Sequence, residues 1–191
     1  YYLGGLGDIT EEQMAVIYAV GKIHTYNNAG RFRAYARTTL PSTITGGEGR
    51  GHLNFYYICA FNKSIETFDV VDRRYVSNRL TMEDIGSAFT GCENLKYIYN
   101  ILNVALVDSA SKIDAFNCTK LIEVRLRDLK VGVKFDKCPE ISQQSVLYAI
   151  QNASPTSAIT ITLHPEAYAR LADDAEIVAA LEAQQLVSLV S

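Results

Sequence analysis

The sequence predicts an α/β (α+β) chain, an irregular solenoid of stacked coils with parallel strands and with helical N- and C-terminal caps. Three observations carry that prediction. A phrase recurs with variation as Ala88-Phe89-Thr90-Gly91-Cys92-Glu93-Asn94-Leu95, Ala115-Phe116-Asn117-Cys118-Thr119-Lys120-Leu121 and Phe135-Asp136-Lys137-Cys138-Pro139-Glu140-Ile141. Two anchor types shift together, because Cys92 and Cys118 stand 26 residues apart and so do Leu95 and Leu121. Strand or helix patterns follow each phrase and occupy both ends. A unit this short cannot bury its apolar edge alone and stacks on its neighbours. The whole chain reads as one domain, with an N-terminal cap at 1–50, repeat coils at 51–165 and a C-terminal cap at 166–191.

The elements follow in order. Thr10-Glu11-Glu12-Gln13 is a capping box that opens a helix over 11–20, with Met14, Ile17 and Tyr18 on one face and Gly21 as its stop. Laid over the first coil, that helix covers an edge that a stack must protect. Arg31-Phe32-Arg33-Ala34-Tyr35-Ala36-Arg37 alternates basic and apolar residues, as a half-buried strand does. The glycine-rich run 45–51 lacks the Gly-Lys-Ser/Thr ending of a phosphate cradle, so it reads as a mobile surface loop. Ala60-Phe61-Asn62 outlines an earlier coil without a cysteine. The polar, basic stretch 71–79 reads as a solvated loop inside a long insertion, 70–85.

After the first full phrase, apolar residues are expected inward at Leu95, Ile98 and Ile101. After the second, 121–127 is the clearest strand, with Val124 and Leu126 inward and Glu123, Arg125 and Arg127 outward. Ser142 starts a helix over 143–152 whose buried stripe is Val146, Leu147 and Ile150, and Ser154-Pro155-Thr156 stops it. The β-branched run 158–163 is a strand. Pro165 fits the first position of a following helix. Residues 166–171 and 174–184 make one broken helix or two, and 186–190 is a last strand beside 159–163.

Composition narrows the function classes. The 191 residues are 48% hydrophobic and carry a net charge of -3, which gives no electrostatic reason to expect nucleic acid or an anionic membrane. No apolar run reaches the ~20 residues of a membrane span. The sequence opens at Tyr1 without a leader pattern, as a mature or trimmed form would. Cys92, Cys118 and Cys138 hold equivalent repeat positions, which favours small buried free thiols. A disulfide between stacked coils is the alternative, disfavoured because parallel side chains seldom reach the required dihedral. No metal or other cofactor is expected, since the cysteines are not closely paired and His24, His52 and His164 lack partners at ligand spacing. Nucleophilic chemistry needs a Cys or Ser beside an oriented His, and no such motif is present, although His52 and Cys59 leave a remote hydrolase reading. Twelve Tyr and no Trp suit either a recognition surface or the edge of a half-buried sheet.

The pattern Ala-Phe-x-x-Cys-x-x-Leu-x-x-Ile resembles the BspA-type leucine-rich repeat of bacterial proteins. The ending Cys138-Pro139-x-Ile141, then Ser145-Val146-Leu147-Tyr148-x-Ile150-x-Asn152-Ala153, then Ile159-Thr160-x-x-Leu163-His164-Pro165, is similar to the terminal repeat and cap of such proteins. The resemblance is specific over 85–165 and looser over 51–84, where the coil at Phe61 lacks its cysteine. It implies a non-enzymatic binding protein, bacterial, secreted or on the cell surface, with a host extracellular or cell-envelope protein as partner. Its strand face is the candidate site: Lys96, Tyr97 and Tyr99 after one phrase, and Glu123, Arg125 and Arg127 after the next. A structural subunit of a surface or phage-tail-like assembly is the alternative. The oligomeric state stays open.

Overall fold

A computed structural model describes residues 22–25, 43–46, 53–54, 66–68, 70–72, 79–85, 88–105, 107 and 112–191, the strands at 22–25, 43–46, 53–54, 70–72 and 79–84 by backbone alone. The helix expected over 11–20, the strand over 31–37 and the phrase at Phe61 lie outside the described residues.

The architecture is a mixture of helices and short strands, and every strand pairing among the described residues is parallel. Strands β1 (Lys22–Thr25), β2 (Thr43–Gly46) and β5 (Val70–Asp72) form one sheet in the order β1-β2-β5. Strands β3 (Leu53–Asn54), β4 (Thr67–Phe68), β6 (Arg79–Asp84), β7 (Tyr97–Asn103) and β8 (Glu123–Arg127) form another, in which β7 takes β4 and β6 as partners and also pairs β8. Strands β9 (Val133–Phe135), β10 (Ile159–Leu163) and β11 (Val187–Val190) form the third, in the order β11-β10-β9. Two loop expectations are corrected here. Thr45 and Gly46 complete β2, while Val71, Asp72 and Arg79 belong to β5 and β6, because backbone pairing with neighbouring strands outweighs a polar or glycine-rich composition.

The three phrases lie side by side. The Phe89 amide donates to the Ala115 carbonyl and the Gly91 amide to that of Asn117, both at 3.1 Å. A row of phenylalanines runs across them: Phe68 meets Phe89 edge-on at 5.0 Å, Phe89 stacks on Phe116 at 5.9 Å, and Phe116 lies tilted on Phe135 at 5.2 Å. The leucine position is equally regular, with Leu95, Leu121 and Ile141 all buried. Farther along, Ile113 bridges Val133, Val133 pairs Ile161, and Ile161 pairs Leu189, so a second apolar row crosses the third sheet. Both rows belong to one continuous core.

After the third phrase comes the expected helix, α1 (Gln143–Gln151), where the first two phrases lead into strands. Ser142 caps it by accepting from the Ser145 amide. Ser145 is buried, and its hydroxyl accepts from the Val124 amide at 3.0 Å while donating to the Ile122 carbonyl at 3.3 Å. Together with the Ser142 amide, which donates to the Ile122 carbonyl at 2.8 Å, this hydroxyl takes the place of bonds that a next strand would have offered to the edge of β8. Helices α2 (Pro165–Leu171), with Pro165 in its first turn, and α3 (Ala175–Ala183) follow, capped by His164 and Asp174. Gln143 ties α1 to α3 through Asp174 at 2.9 Å and Glu176 at 3.1 Å. The Arg170 guanidinium ties α2 to the third phrase through the Pro139 and Ile141 carbonyls.

Gly132 sits close against the backbone of β10. A Cβ there would stand 2.8 Å from the Thr160 carbonyl oxygen, a backbone atom that cannot turn aside. Gly132→Ala is expected to cost about 1–3 kcal/mol of unfolding free energy, measured by urea denaturation.

Candidate functional site

The candidate face is built on β7 and β8. Pairing sets Tyr97 opposite Glu123, Ile101 opposite Arg125 and Asn103 opposite Arg127. Between the first two of these pairs β7 spends three residues where β8 spends one, so Ile98-Tyr99-Asn100 bulges. The bulge fixes what points outward. Ile98, Asn100 and Leu102 are buried, Ile101 is half-buried, and Tyr99 is the most exposed large side chain of the strand at 46%. The inward position expected at Ile101 therefore belongs to Leu102, because a bulge leaves the composition unchanged while moving the register.

The Tyr97 and Tyr99 rings stack at 5.8 Å, 8° from parallel. Beside them, Arg125 pairs with Glu123 at 2.9 Å and Arg127 with Asp128 at 3.6 Å, all partly solvated. Pairs of this exposure contribute little stability. They leave the face near neutral, with an aromatic centre and charged margins. Asp128 ends β8 in the left-handed region at φ 58°, a conformation that Asp tolerates better than most residues. Lys96 precedes the strand, and its ammonium pairs with Glu66 at 3.1 Å, as Lys134 does with Asp114 at 2.9 Å. Five of the six candidate residues thus meet on two adjacent strands, and Lys96 stands at their entrance. Thr67, exposed and paired with Tyr97, extends the face beyond the residues named from the sequence.

The repeat cysteines have more to do than fill space. Cys92, Cys118 and Cys138 are buried thiols that form no disulfide. The Cys118 thiol donates to the Phe89 carbonyl at 3.0 Å and the Cys138 thiol to that of Phe116 at 2.9 Å, so each satisfies a buried acceptor in the preceding phrase. Burial pushes the Cys138 thiol up to about 12. The thiol ionises at about its ordinary 9.0 in the unfolded chain and higher in the native one. Its effect on stability is therefore absent below pH 9 and becomes a loss as pH rises toward 12. In a Cys59→Ser background these three thiols are expected to ignore an aromatic disulfide reagent at about pH 8 until the protein is denatured. Rapid native reaction would contradict their burial.

His164 is engaged as a cap, its Nδ1 accepting from the Glu166 amide at 3.3 Å. His52 and Cys59 lie outside the described residues. Among the described residues no three His, Cys, Asp or Glu side chains gather as a metal site would require, and no helix is long and apolar enough to cross a membrane. A groove of about 570 Å³ opens between α1 and α3, lined by Gln144, Leu147, Gln151, Glu176, Ala180 and Gln184 among others. No family model, no curated protein and no solved structure matches the chain.

Proposed function

We propose that this chain is a non-enzymatic protein-interaction module, a BspA-like leucine-rich-repeat solenoid of a bacterial surface or secreted protein. In this reading it binds a host extracellular or cell-envelope protein through the outward residues of β7 and β8. The observation that carries the reading is the bulged strand that presents Tyr99 at 46% exposure beside Tyr97, against Glu123, Arg125 and Arg127. Tyrosine gives broad contact at low rotamer cost, and arginine at such a margin selects partners by charge. The phrase repeat and the side-by-side phenylalanines support the solenoid.

The test is a pull-down against host extracellular proteins and the source cell envelope, with the face intact and with Arg125→Glu/Arg127→Glu. Capture of a discrete partner by the intact face alone supports the reading, and equal capture by both proteins sinks it. Sedimentation at micromolar concentration adds a second arm. A monomer fits the binding module, whereas a stable oligomer favours an assembly subunit.

A further inference from the structure

The terminal strand offers a second docking place, unrelated to the β7–β8 face. Among the described residues β11 pairs with β10 alone. The Ile159 amide donates to the Leu186 carbonyl at 2.8 Å, so strand alternation aims the Leu189 amide and carbonyl away from β10. Open edges are commonly blunted by lysine, proline or inward charge, and Val187-Ser188-Leu189-Val190 carries none of these. Three of the four large apolar side chains exposed among the described residues belong to this end: Val178 at 38%, Leu186 at 43% and Val190 at 40%. Leu186 and Val190 lie next to or on β11 itself, and an open edge with exposed apolar side chains is the surface to which an extended segment adds as a strand.

Charge selects the occupant. From Leu171 to Ser191 the chain holds Asp173, Asp174, Glu176 and Glu182 and no lysine or arginine. Asp173, Glu176 and Glu182 are exposed, while Asp174 is half-buried and engaged as the cap of α3. The nearest preceding cation, Arg170, is committed to the Pro139 and Ile141 carbonyls. Two copies meeting edge to edge would bring these carboxylates together, which opposes a symmetric dimer at this place. We infer that the β11 edge docks an extended, cationic polypeptide segment in which apolar residues alternate with lysine or arginine, its backbone pairing Leu189 and its charges meeting Asp173 and Glu182.

The probe is a short fluorescent peptide alternating lysine and valine, set against one alternating glutamate and valine, with the full chain. The lysine peptide is expected to bind at least roughly tenfold more tightly and to weaken by a similar factor from about 0.02 to 0.15 M salt. Asp173→Lys/Glu182→Lys is expected to abolish that preference with the unfolding midpoint unchanged. Amide exchange at Leu189 should slow in the complex. Equal binding of the two peptides, full binding by the charge-reversed variant, unchanged exchange at Leu189, or self-association of the chain through this edge would each overturn the inference.

Discussion

Phe116→Ala is expected to lower the unfolding free energy by about 3–5 kcal/mol, read from urea denaturation as an earlier midpoint. The ring is 1% exposed and lies between Phe89 and Phe135, so its loss opens a cavity shared by all three phrases. Neither neighbour can fill that gap by turning alone, since each also occupies its own place in the row. Phe116→Leu keeps most of the buried area and loses the flat stacking shape, so it should cost clearly less. An effect of Phe116→Ala below about 1 kcal/mol would mean that the phrases do not share a core in solution.

Ser145→Ala is the second large effect, about 1–3 kcal/mol, although the change removes one oxygen atom and almost no apolar packing. The cost arises at β8. Without the hydroxyl, the Val124 amide loses the partner that α1 supplies, the Ile122 carbonyl keeps only the Ser142 amide, and Ser142 loses its 2.8 Å contact with Ser145. Burial of Ser145 at 1% exposure keeps water from replacing it. Amide exchange at Val124 should quicken with the substitution, by more than at Glu123, whose amide donates to the Lys96 carbonyl at 3.0 Å on the other side of the strand. A stability change without that local signature would place the cost in the helix cap instead.

Much of the C-terminal half was legible from residues alone because its signals are local. Ser142 at a cap, Pro165 in a first turn and alternation over Glu123–Arg127 each specify backbone geometry within a few positions, and the structure follows them. The last strand, expected beside 159–163, pairs in parallel with β10. What escaped depends on distant partners. The bulge at Ile98-Tyr99-Asn100 exists only relative to β8, so the helix-like spacing Leu95, Ile98, Ile101 suggested an inward Ile101. The thiol bonds to Phe89 and Phe116 needed the register between phrases, which composition does not carry. The strands β5 and β6 were hidden in a stretch that reads as polar and basic.

The same contrast explains why the candidate site was found as residue types before it was understood as a surface. Outward alternation identified Glu123, Arg125 and Arg127 directly. Tyr97 and Tyr99 were named as residue types only, and their mutual stacking and prominence come with the bulge. Lys96 was drawn into the face by proximity in sequence, whereas its ammonium belongs to a pair with Glu66 across the phrase boundary.

The most direct measurement is partner capture by Tyr99→Asp beside the wild type, with Leu102→Asp as the core control. The two positions lie on one strand, one outward at 46% exposure and the other fully buried. A functional face on β7 and β8 predicts that Tyr99→Asp keeps its unfolding midpoint and loses capture, while Leu102→Asp fails to fold. Undiminished capture by well-folded Tyr99→Asp would contradict it.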